Sequence, residues 1–143
     1  MKRILLSLAV ATSLIGSTAA LACEGDGKHQ ASLEPAKATV ADVASWTKSK
    51  AAIPVDANGK ETRTSQGVIP GAVLLTSSST YAVSELPADK NAKLVFYCAN
   101  QKCSASSAAA KRAMEAGYTN VAVLPEGIAG WKQAGQPTAK PNS

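Results

Sequence analysis

Residues 94 to 117, LVFYCANQKCSASSAAAKRAMEAG, divide into three parts. Leu94 to Tyr97 is an unbroken apolar run of strand length, the pattern of a strand buried on both faces. Ser104 to Ala116 is rich in alanine and carries Lys111, Arg112, Met114 and Glu115, which predicts a helix. Gly117 then stands at the C′ position, where a positive φ is needed. Between them lies only the loop Cys98-Ala99-Asn100-Gln101-Lys102-Cys103. Buried strand, tight loop and helix together make one unit of a parallel sheet covered by helices. Such sheets bind ligands at the carboxyl ends of their strands, where Cys98 falls.

A cysteine in that place is set up to ionise, because loop N–H groups and the positive end of a helix dipole both favour thiolate. The same residue also reads as a buried structural cysteine that happens to end a strand. His29 is the single histidine and sits in a polar N-terminal stretch, so no Cys–His pair is available and any stabilisation must come from backbone dipoles. No metal site is predicted. Cys98 and Cys103 have no second pair of ligands, and neither do Cys23 and His29.

Outward from this core, Thr39 to Lys50 reads as a helix, with Thr39 and Asp42 at capping-box spacing and Val40, Val43, Ala44 and Trp46 facing inward. Ala52 to Asp56 reads as a strand, with Pro54 expected at its first residue if at all. Asn58-Gly59 signals a turn, and Lys60 to Gly67 reads as a polar connection. Ala72 to Leu75 is a short strand, and Tyr81 to Lys90 an irregular or helical connection. Asn120 to Leu124 is the last strand, and Ile128 to Ala134 a short helix carrying Trp131 toward the core. Thr138 to Ser143 is a polar tail. The fold class is therefore α/β, a small, mostly parallel sheet with helices on both faces.

Several pieces in this order resemble the rhodanese-like domain. They are the Cys98 to Ser104 loop with its alanine-rich helix, Ala116-Gly117-Tyr118-Thr119-Asn120-Val121, and Gly127-Ile128 with Gly130-Trp131-Lys132 and Ala134 to Pro137. Upstream, Pro54-Val55-Asp56 and Gly67-Val68-Ile69-Pro70-Gly71-Ala72 match that family's first core strand and the loop before the next. The resemblance runs from about Thr39 to Pro137. It implies a sulfurtransferase: Cys98 attacks a sulfane sulfur donor such as thiosulfate, and the backbone of Ala99, Asn100, Gln101, Lys102 and Cys103 cradles the anion. The persulfide then passes its sulfur to a thiol. No cofactor is implied.

This chain departs from the family pattern in three places. Asn58 stands where Asp56 would normally have an arginine two residues on, and Val68 replaces a common histidine. Cys103 and Lys102 occupy the loop end where relatives often carry arginine. Asp56 is expected to organise its loop. Arg63 is a candidate for structural support, an anion clamp or a solvated charge. Cys103 is either a small buried residue or a resolving thiol able to close a disulfide with Cys98. The alternative function is accordingly a non-catalytic binding or redox-sensing module using that pair. A Cys-based phosphatase needs arginine as the sixth residue after the cysteine, where this chain has Ser104. A thioredoxin-like site needs Cys-x-x-Cys, whereas four residues intervene here.

Met1 to Ala22 reads as a signal peptide, with Lys2 and Arg3, an apolar stretch from Ile4 to Ile15, and Ala20-Leu21-Ala22 before the cut. Export to the periplasm or beyond is expected, with lipidation of Cys23 as the lesser alternative. The apolar run is too short for a membrane span. Cys23 to Ala38 reads as a flexible tether, leaving residues 39–137 as one domain. A net charge of +5, with no basic run, argues against nucleic acid and suits a small anionic donor.

Overall fold

The computed structural model describes residues 33–141. The expected signal peptide, Cys23 and His29 lie outside the described residues. The elements in order are β1 (Ala36–Lys37), α1 (Val40–Lys48), β2 (Ile53–Asp56), α2 (Lys60–Gln66), β3 (Val73–Leu74), β4 (Leu94–Tyr97), α3 (Ala105–Glu115), β5 (Val121–Leu124) and α4 (Gly127–Gln133). A single 3-10 turn, Val83–Glu85, lies in the connection between β3 and β4.

The strands form one five-stranded sheet in the order β1-β5-β4-β2-β3, and every pairing in it is parallel. β4 is the middle strand, and its alternating side chains divide the core. Leu94 and Phe96 pack with Ala109, Ala110 and Ala113 of α3 and with Tyr81 and Tyr118. Val95 and Tyr97 pack on the other face with Val43 of α1 and with Ile128 and Trp131 of α4. Three alanines on one stripe let α3 lie close to the sheet, which explains the composition of that helix. Trp131 is buried, with its Nε1 donating to Pro137 O at 2.8 Å.

The expected capping box forms at α1. Thr39 Oγ1 accepts from Asp42 N at 3.2 Å, and Asp42 Oδ2 accepts from Thr39 N at 3.0 Å. Gly117 has φ +93 and lets the chain turn after α3.

Four local readings change. Ala36 and Lys37, expected in the tether, pair with Ala122 and Val123 of β5, and Ala38 N donates to Val123 O at 2.8 Å. Pro54 is the second residue of β2 rather than the first. Ile53 and Ala57 donate toward β4, so alternation turns the position of Pro54 toward β3, whose pairing begins only at Val55. Lys60 to Gln66 is a helix and not a loop. It buries no residue, so no apolar period announced it. In the polar tail, Ala139 exchanges two backbone hydrogen bonds with Val68, at 2.8 and 2.9 Å. No helix among the described residues is long and apolar enough to cross a membrane.

Candidate active site

Cys98 leaves the carboxyl end of the central strand, and its loop is braced by α4. Cys98 O accepts from Ile128 N at 2.9 Å and Ala99 O accepts from Ala129 N at 3.0 Å, using first-turn N–H groups that no helix can satisfy internally. Asn100 closes the loop on itself. Its Oδ1 accepts from Lys102 N and its backbone O accepts from Cys103 N, both at 3.0 Å. Two of the N–H groups expected to cradle an anion are therefore engaged inside the loop.

The sulfur of Cys98 has surroundings other than those expected. Its Sγ faces the carbonyl of Cys103 at 3.1 Å, that of Asn100 at 3.9 Å and Ser106 Oγ at 3.4 Å. Carbonyl oxygens accept a proton's hydrogen bond and favour S–H over thiolate. Burial, first, and the hydrogen bond to Cys103 push the Cys98 thiol above its usual range, against a smaller downward effect of Ser106. At Cys103 burial also acts upward, but it is outweighed by the hydrogen bond from Cys98 and by the backbone amides of Ala105 and Ala99. That thiol falls below its usual range. The two residues are thus joined by the Cys98 thiol donating to the Cys103 carbonyl. Both are free thiols; Cys98 is 1% exposed and Cys103 partly exposed.

Ser106 was not among the residues singled out from sequence. It is a buried serine on an alanine-rich helix face, and only that incongruity could have marked it.

Asp56 and Arg63 are brought together beneath the strand ends. Asp56 is fully buried, and its Oδ1 accepts from Asn58 N at 2.7 Å and from Arg63 Nε at 3.2 Å. Arg63 Nη2 donates to Asp56 O at 3.0 Å and to Leu75 O at 2.8 Å. Arg63 is therefore a tie between α2 and the ends of β2 and β3, and not a solvated charge. It supplies from α2 the positive partner that Asn58 does not. Tyr97 OH accepts from Ile69 N at 3.0 Å, and burial, with the Asp56 charge behind it, holds the phenol far above its ordinary range. On the outer flank of the loop, Asn100, Gln101, Lys102, Glu126, Gly130 and Gln133 line an open cleft of about 440 Å³.

Comparison with known proteins agrees with this architecture. The model of the rhodanese-like domain matches residues 39–134, and the chain belongs to that family. Among solved structures it is similar to a Rhodopseudomonas palustris protein of unknown function described as a possible tyrosine phosphatase. That pair shares 30% identity and a TM-score of 0.61, covering 73% of this chain and 85% of the other. It is similar to the rhodanese-like domain of an Anabaena protein at 23% identity and a TM-score of 0.58, covering 76% and 81%. It is also similar to a thiosulfate sulfurtransferase from Pseudomonas aeruginosa at 22% identity and a TM-score of 0.64. That match covers 76% of this chain but 21% of the enzyme, so this likeness shows the fold alone. No curated protein matches the chain.

Proposed function

We propose that this protein is a sulfurtransferase that carries sulfane sulfur as a persulfide on Cys98. The observation that carries the reading is a buried cysteine at the end of the middle strand, its sulfur 3.1 Å from the Cys103 carbonyl in a loop braced by α4. In the first half-reaction a loop thiolate bonds to the outer sulfur of thiosulfate, the S–S bond of the donor breaks and sulfite leaves with the electron pair. In the second, an acceptor thiolate takes the outer sulfur of the persulfide. Neither half-reaction needs a cofactor. Lys102 is the only cation in the loop and favours an anionic donor. A phosphatase reading lacks the arginine that would clamp phosphate in two directions, since Ser104 stands at that position. The signal-peptide pattern of Met1 to Ala22 supports export.

The nearness of the two cysteines, with Cys98 Sγ 3.1 Å from the Cys103 carbonyl, also favours a second reading, a redox-sensing pair that loses two hydrogens to an oxidising disulfide and closes a Cys98–Cys103 bond. Intact mass of the reduced protein before and after thiosulfate or polysulfide, beside Cys98→Ser, separates the two. Uptake of a sulfur atom that ends on Cys98 in the wild type supports transfer. Loss of two hydrogens on treatment with oxidised glutathione, with no sulfur uptake from either donor, supports the redox module.

A further inference from the structure

Sulfur transfer through Cys98 has an access problem. The residue is 1% exposed, it lines none of the cleft beside the loop, and carbonyl oxygens of Asn100 and Cys103 stand against its sulfur. A dianionic donor brought to that sulfur would meet two negative dipole ends and almost no opening. Cys103, five residues on, does not line that cleft either, but it differs in exposure and surroundings. It is partly exposed and follows the exposed Lys102, and the backbone amides of Ala105 and Ala99 help to hold its thiol below the usual range.

We infer that Cys103 is the entry thiol, taking sulfur from the donor and relaying it inward to Cys98. This rests on the sulfur-transfer reading and assigns the two cysteines consecutive roles within it. The Cys103 thiolate bonds to the outer sulfur of thiosulfate and sulfite leaves, producing a Cys103 persulfide anion. Cys98, whose thiol donates to the Cys103 carbonyl in the resting loop, gives up its proton and attacks the outer persulfide sulfur. The S–S bond on Cys103 breaks, and Cys103 leaves with the electron pair and takes the proton. The products are a Cys98 persulfide anion and a Cys103 thiol. One sulfur atom and one proton have exchanged places, and nothing is oxidised or reduced overall. The persulfide then rests in the closed part of the loop, away from water and stray oxidants. Attack on the inner sulfur instead would close a Cys98–Cys103 disulfide and release hydrosulfide. Bracing of the Cys98 and Ala99 carbonyls by α4 fixes the loop within which the two attacks compete.

The test is acid-quenched peptide mapping of persulfides after mixing the reduced full-length protein with thiosulfate. In wild type, sulfur is expected on Cys103 first and on Cys98 later. Cys98→Ser should accumulate the sulfur on Cys103, and Cys103→Ser should load Cys98 about tenfold more slowly or worse. Loading of Cys98 in Cys103→Ser at the wild-type rate, or Cys98 labelled before Cys103 in wild type, would overturn the relay while leaving sulfur transfer intact. No sulfur on either cysteine from thiosulfate or polysulfide would remove the sulfur-transfer reading itself. The wild-type time course needs no variant to fold.

Discussion

Gly127 lies against the backbone of Cys98 so closely that a β-carbon on it would stand 2.4 Å from Cys98 O, with Ala99 C at 2.7 Å and Asn100 N at 2.8 Å. Its φ of +61 is also one that side chains disfavour. The start of α4 and the cysteine loop are therefore fitted to each other through a residue that has no side chain. Gly127→Ala should push the loop outward, costing roughly 2–3 kcal/mol in stability and most of the sulfur uptake. Urea unfolding and persulfide mass together check this, and a variant with wild-type values in both would show that the contact relaxes freely.

Arg63 and Asp56 make a buried tie in which the guanidinium serves three acceptor contacts. Arg63→Ala leaves the fully buried Asp56 carboxylate without its cation and should cost about 3–5 kcal/mol. Arg63→Lys should recover only part of this, because a single ammonium cannot reproduce the fork. Denaturant midpoints of the two variants give the comparison; equal stability of wild type and Arg63→Ala would mean that Asp56 finds another partner.

Ser106 places its hydroxyl 3.4 Å from the Cys98 sulfur. Ser106→Ala should slow sulfur transfer from Cys98 by roughly two- to tenfold, the worth of one hydrogen bond of about 0.5–1.5 kcal/mol. The Tm should barely move, since alanine suits the surrounding alanine stripe. Single-turnover rates beside thermal melts read this directly, and an unchanged rate would make the serine a packing residue only.

Tyr81 is buried and donates to Ala109 O at 2.9 Å, and its phenol is pushed up to about 12, chiefly by burial. The unfolded chain loses that proton near pH 10, before the folded one does. The resulting stability is fully present below about pH 10 and falls as pH rises toward about 12, by at most ~1.4 kcal/mol per pH unit. Tyr97 is shifted in the same direction and adds to the fall. Urea midpoints at about pH 9, 10 and 11 should decline less steeply in Tyr81→Phe than in wild type; parallel declines would assign the loss to other groups.

Much of the fold was written in short-range pattern. The apolar run Leu94–Tyr97, the alanine stripe of α3, Gly117 and the Thr39–Asp42 box each form as their local sequence predicts, because periodicity and caps involve residues within one or two turns of each other. The position of Cys98 at the end of the middle strand followed from the same pattern. What the sequence could not carry depended on distant partners. Ala36–Lys37 is a strand only because β5 lies beside it, and Pro54 is tolerated only because β3 starts one residue late. Lys60–Gln66 has no apolar face to announce a helix, and Arg63 is tied to Asp56 and Leu75 across a turn and a strand. The proton on the thiol pair was decided last. It depends on whether carbonyls or amides face each sulfur, and that is a sum of fields from groups that only the closed loop and the start of α3 bring together.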